Sequence, residues 1–78
     1  MRVLFFAQLK DATGCEAVEL PAAALTREEL WCELLKKFPL LAAHRANVRL
    51  ARNWEYIQAD ASFAGTDEVA LIPPVSGG

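Results

Sequence analysis

Basic clusters are what this sequence most conspicuously lacks. Its eight Lys and Arg are outnumbered by ten Asp and Glu, the net charge is −2, and no basic run is longer than Lys36-Lys37. Nucleic-acid affinity is dominated by phosphate contacts from clustered Lys and Arg, so no nucleic-acid partner is expected. Long apolar runs are also missing: nothing approaches the roughly 20 residues that a membrane span requires. The segment after Arg2, Val3-Leu4-Phe5-Phe6-Ala7, is too short for the core of a secretory signal. Cysteine is scarce. Cys15 and Cys32 allow one disulfide arithmetically, but nothing in their setting asks for it, and free thiols in a cytoplasmic protein are the expectation. A four-cysteine iron–sulfur cluster is excluded by the count alone. The one histidine, His44, has no Cys or carboxylate close in sequence with which to hold a metal or act as a base. No metal site and no bound cofactor are expected.

What is present is enough for one small domain. Apolar residues make up 54% of the 78 positions, ample for a core without staples and with a surplus that can remain on the surface. Residues Val3 to Leu9 form an apolar run of strand length, Lys10 to Gly14 reads as a turn, and Cys15 to Leu20 reads as a second strand stopped by Pro21. The short spacing makes the two an antiparallel hairpin.

The clearest element follows. Thr26 with Glu29 three positions later is a capping-box pattern, in which hydroxyl and carboxylate satisfy donors at a helix start. Leu30, Trp31, Leu34, Leu35 and Phe38 then share one face of a helix that Pro39 halts. Glu28 suits the positive end of the helix dipole, and Lys36 and Lys37 suit the negative end. Glu28, Glu29 and Glu33 form the solvated face, and Cys32 falls away from the apolar stripe.

Leu40 to Ala46 reads as a loop or short helical turn. Val48 to Ala51 alternates like a half-buried strand, Asn53 marks a turn with Trp54 half-exposed beside it, and Tyr56-Ile57 makes a short edge strand. Asp60 to Thr66 reads as irregular with Phe63 pinned inside, and Glu68 to Ile72 as a last strand halted by Pro73-Pro74. One helix across one face of a mixed sheet, with the apolar first and last strands as central neighbours, defines an α+β ubiquitin-like β-grasp fold of about five strands. Residues 1–72 are then the domain and 73–78 a tail. By strand parity Val3, Phe5, Ala7 and Leu9 share one face, while Leu4, Phe6 and Gln8 share the other. If the first set is core, Phe6 and Ile72 remain on the uncovered face, near the exit of the tail, as a partner-binding patch.

The tail is Pro73-Pro74-Val75-Ser76-Gly77-Gly78. The prolines stop the strand and stiffen the exit. The glycines carry no side chain, so the end can thread a narrow channel. Four residues beyond Pro74 reach about 13 Å. On residue type alone this is either a frayed terminus or a carboxylate presented to another protein's active site.

The run from Asp67 to Gly78, DEVALIPPVSGG, resembles the C-terminal signature of the molybdopterin synthase small-subunit family. The opening VLFFAQL (Val3 to Leu9) resembles that family's first strand, and Asn53 sits where the family tends to carry Asn. The family often has Gly before the Asp-Glu-Val segment; here Thr66 stands there and Gly65 one position earlier. The resemblance implies that Gly78 is the catalytic group: its carboxylate is adenylated by an activating enzyme that uses ATP, then converted to a thiocarboxylate. Gly77, Pro73, Pro74, Val75 and Ser76 would position the tail inside a large catalytic subunit, in a heterotetramer of two small and two large chains. There sulfur passes to a cyclic pyranopterin precursor, and two rounds generate the dithiolene of the molybdenum cofactor. The alternatives are a sulfur carrier for thiazole synthesis, whose usual tail lacks the Pro-Pro pair, a ubiquitin-like modifier, and an interaction-only domain. With no nucleophile and base pair in the chain, an autonomous enzyme is the least favoured reading.

Overall fold

The computed structural model describes residues 1–21, 23–57 and 62–73. In chain order it holds β1 (Arg2–Phe5), α1 (Gln8–Thr13), β2 (Ala17–Glu19), β3 (Ala24–Thr26) and α2 (Arg27–Lys37). Two 3₁₀ segments follow, Pro39–Ala43 and Arg45–Asn47, and then β4 (Arg49–Arg52), β5 (Glu55–Tyr56), β6 (Ser62–Ala64) and β7 (Glu68–Ile72).

The most apolar strands lie at the centre. β1 and β7 run parallel, with Val3 opposite Val69 and Phe5 opposite Leu71, inside a five-stranded sheet ordered β2-β1-β7-β4-β5. The other three pairings are antiparallel. β3 and β6 form a separate antiparallel pair that sets Leu25 opposite Phe63. One face of the sheet is covered by α2. Val3, Phe5, Val69 and Leu71 are sealed into one core with Leu30, Trp31 and Leu34 of the helix. The β-grasp expectation, with first and last strands as neighbours, is met.

Helix α2 begins as its sequence dictates. The Glu29 N–H donates to the Thr26 hydroxyl (3.2 Å), and the Thr26 N–H donates to Glu29 Oε1 (2.9 Å), completing the capping box. Pro39 stops the α-helix but suits the first turn of a 3₁₀ segment. That segment buries Leu41, and Phe38 meets Phe5 edge-to-face at 5.4 Å. Arg45 spans back to the helix: its guanidinium lies 5.6 Å over the Trp31 ring and donates to Glu28 at 2.8 Å. Cys32 is exposed on this helix, and neither thiol is in a disulfide.

The first segment departs from its sequence pattern. The strand ends at Phe5, not Leu9, because the Leu9 N–H donates to the Phe6 carbonyl (3.0 Å) and closes a turn. Ala7 sits in that turn at φ 51°, ψ −128°, the first central position of a type II′ turn. The residues read as a turn, Lys10 to Gly14, instead complete helix α1, which Gly14 caps in the left-handed conformation (φ 76°). Leu9 still reaches the core, from a helix, whereas Ala7 and Gln8 are exposed. Strand parity therefore holds only as far as the strand does.

The remaining differences are smaller. β2 starts at Ala17 rather than Cys15, β4 and β5 are each shifted by one position, and Ser62–Ala64 is a strand rather than irregular. The unforeseen partner β3 accounts for the last difference: Phe63 is buried, as expected, but by strand pairing. Asp60 and Ala61 lie outside the described residues.

Candidate functional site

Because side chains alternate across a strand, the register that buries Val3, Phe5 and Leu71 turns Leu4, Ala70 and Ile72 to the face away from α2. Ala17 lies opposite Leu4, Ala51 opposite Ala70, Tyr56 opposite Ala51, and Arg49 opposite Ile72. This face is apolar at its centre. Ala51 and Ala70 are sunk between larger neighbours (3% and 2% exposed), while Trp54 and Tyr56 stand 65% exposed. The Arg49 guanidinium covers one side of Tyr56 at 5.7 Å.

Phe6 and Trp54 meet edge-to-face, with centroids 6.2 Å apart and ring planes at 66°. Together with Leu4 and Ala17 they line a shallow groove of about 220 Å³. Charges rim it. Arg2 faces Glu68 at 3.7 Å, and Lys10 faces Glu16 at 3.7 Å. Lys10–Glu16 is an exposed pair and Arg2–Glu68 a partly exposed one, each worth ~0–1 kcal/mol to the fold.

The turn that presents Trp54 is built by side-chain hydrogen bonds. β4 and β5 are joined by Asn53 and Trp54 alone, at φ 50° and φ 70°, the signs a type I′ hairpin turn demands. Asn tolerates that region, but a bulky residue there is an outlier costing ~1–3 kcal/mol. Asn53 fastens the turn to the start of β7. Its N–H donates to the Glu68 carbonyl (2.7 Å), its Oδ1 accepts from the Glu68 N–H (3.0 Å), and its Nδ2 donates to Asp67 Oδ1 (3.0 Å). Asp67 Oδ2 in turn accepts from the Ala64 N–H at 2.7 Å. That Ala64 bond first, and the Asn53 amide second, hold the Asp67 carboxyl below its ordinary pKa.

The structure places Phe6 and Ile72 outside the buried cluster, both half-buried. Phe5 lies opposite Leu71 in the parallel pairing, so Phe6 and Ile72 follow at the same level of the sheet, where β7 ends. Pro73 is half-buried just beyond. Pro74, Val75, Ser76, Gly77 and Gly78 lie outside the described residues. Trp54 and Tyr56 were not singled out for this face by their sequence positions, since the placement of Trp54 depends on a positive φ that aromatic residues rarely adopt. Among the described residues, no three His, Cys, Asp or Glu side chains group to hold a metal, and no helix is long and apolar enough to cross a membrane.

The domain is thus a two-layer β-grasp with an apolar open face beside the end of its last strand. The family follows from comparison: the model of the ThiS family matches residues 3–78, and the chain belongs to that family. The molybdopterin synthase sulfur carrier subunit of Arabidopsis thaliana is 40% identical, over all of this chain and 82% of that protein. Among solved structures, SAMP1 of Haloferax volcanii is 28% identical with a TM-score of 0.83, covering 99% of this chain and 97% of its own. A complex of subunits 1 and 2 of the molybdopterin-converting factor from Helicobacter pylori contains a chain 27% identical, TM-score 0.71, covering 99% of this chain and 96% of that one.

Proposed function

We propose that this chain is the sulfur-carrier subunit of molybdopterin synthase and that the carboxyl group of Gly78 carries the sulfur. The observation that supports this most is the end of β7. The central strand stops at Ile72 beside the apolar open face, and six residues ending in Gly77-Gly78 leave from that point. A carboxylate is a poor electrophile because its charge and resonance repel nucleophiles. Adenylation removes both obstacles: the Gly78 oxygen attacks the α-phosphorus of ATP, pyrophosphate leaves, and a mixed anhydride forms. A sulfur nucleophile supplied by a donor then displaces AMP and leaves a thiocarboxylate. The large subunit docks on the open face through Phe6 and Ile72, takes in the tail, and receives the sulfur for a cyclic pyranopterin precursor. No side chain of this domain needs to react. Its work is to deliver the terminus from beside a docking surface.

Intact mass measurement after incubation with ATP, the activating enzyme and a sulfur donor tests the chemistry. The mass should rise by the difference between sulfur and oxygen, and one alanine appended after Gly78 should abolish the change. An appended chain that still delivers sulfur, with the extra residue confirmed present, would remove the terminus from the mechanism. The likeness to SAMP1, called small archaeal modifier protein 1 in a second structure, supports a second reading in which the same activated terminus is joined to lysines. Adducts of higher mass that depend on Gly78 would mark it.

A further inference from the structure

We infer that Trp54 is the anchor residue of the docking face, a side chain kept in a strained turn so that it can enter an apolar pocket of the large subunit. The inference rests on the reading above and goes beyond it in naming the residue that sets the strength of docking. A two-residue turn with positive φ at both positions is best served by Asn-Gly, because glycine alone adopts the second position freely. Here the first position is Asn53 and the second is Trp54 at φ 70°. The fold gains little from the exchange. Trp54 is absent from the buried core, and 65% of its surface remains in water. Its edge-to-face contact is with Phe6, itself outside that core. A large aromatic in a backbone region that disfavours it, exposed and held against another aromatic, is poorly explained by folding and well explained by binding.

Its position identifies the occupant. Phe6 is level with Ile72, where the tail departs, so the Phe6–Trp54 pair extends from the tail exit toward the β4–β5 turn at the other end of the sheet. A protein that holds Gly78 is tied to this domain by six residues and must lie over the neighbouring surface. The ring is also pre-positioned, since the three Asn53 hydrogen bonds to Asp67 and Glu68 fix the turn from which it projects. Tryptophan fixed in advance, lining an apolar groove with a charged rim, is the profile of an interface residue that dominates affinity.

The experiment is a titration of the full-length chain with its cognate large subunit, comparing wild type, Trp54→Gly and Trp54→Phe. Trp54→Gly should melt no lower than wild type, because the turn becomes Asn-Gly, yet its Kd should rise at least about tenfold. Trp54→Phe should keep most of the affinity, within about threefold, if an aromatic anchor is what the pocket takes. A Trp54→Gly variant that binds like wild type overturns the inference while leaving the carrier function standing. A variant that melts lower overturns it too, by showing that Trp54 serves the fold. If wild type itself does not bind the large subunit, the proposed function fails and this inference fails with it.

Discussion

Replacing Ala7 by glycine is expected to stabilise the domain, although glycine ordinarily weakens ordered chain. Ala7 occupies φ 51°, ψ −128° in the turn closed by the Leu9 N–H on the Phe6 carbonyl. An L-residue held in so sparse a region costs about 1–3 kcal/mol, which glycine does not incur. Glycine's freer unfolded chain offsets about 0.4–1 kcal/mol of that gain. Ala7 is exposed, so losing its methyl opens no cavity. The net is a gain of up to about 2.6 kcal/mol, and a domain of this size shifts its Tm by about 4–8 °C for each kcal/mol. Scanning calorimetry of the two proteins in one buffer measures it, with urea unfolding as a second reading. The opposite sign would follow from a strand continuing through Leu9, where glycine costs about 0.5–1 kcal/mol. A lower Tm for Ala7→Gly would therefore refute both the turn and the helix that it starts.

Leu9→Ala should cost about 2–5 kcal/mol in urea unfolding, because Leu9 is fully buried, whereas Leu40→Ala, 69% exposed, should stay within about 0.5 kcal/mol. Thr26→Ala removes the hydroxyl that accepts from Glu29 and should lower stability by about 1 kcal/mol in the same assay. Asp67, held below its ordinary pKa by Ala64 and Asn53, contributes its full stability above the unfolded pKa of about 3.9 and loses it as pH falls through the lower folded value. Asp67→Asn should accordingly lose less Tm than wild type between about pH 5 and about pH 2. Phe6→Asp should weaken binding to the large subunit by about tenfold or more while the far-UV circular dichroism stays native.

Legibility in the sequence followed the strength of local signals. Helix α2 was readable because its capping pair, its apolar period and Pro39 all agree on the same boundaries. β7 was readable because five apolar or framing residues run directly into two prolines. The first segment misled because Val3 to Leu9 is apolar throughout, a pattern that suits a strand followed by a helix as well as one long strand. What separates the two is the backbone at Ala7, where nothing in the residue type signals a positive φ. β3 and β6 were invisible for another reason: strands of three residues carry no alternation to detect, and only their mutual pairing makes them strands. Of the candidate site, the parity of Phe6 and Ile72 was legible because Ile72 ends a true strand and Phe6 directly follows one. The position of Trp54 beside a turn is legible from Asn53, but its packing on Phe6 across the sheet depends on tertiary contact.

The parallel pairing of β1 with β7 also sets an order of events during synthesis. Arg2 pairs with Glu68 and Phe5 with Leu71, so the middle of the sheet joins segments about 66 residues apart in sequence. Contacts of such separation require almost the whole chain to be closed into a loop before they are rewarded, which slows folding for a domain this small. A nascent chain that has not yet reached Leu71 can form α2 and the β1–β2 pair, but it has no central sheet and no open face. The open face therefore forms only once β7 is available to pair with β1 and β4. A chain ended before β7 would therefore lack the central pairing altogether.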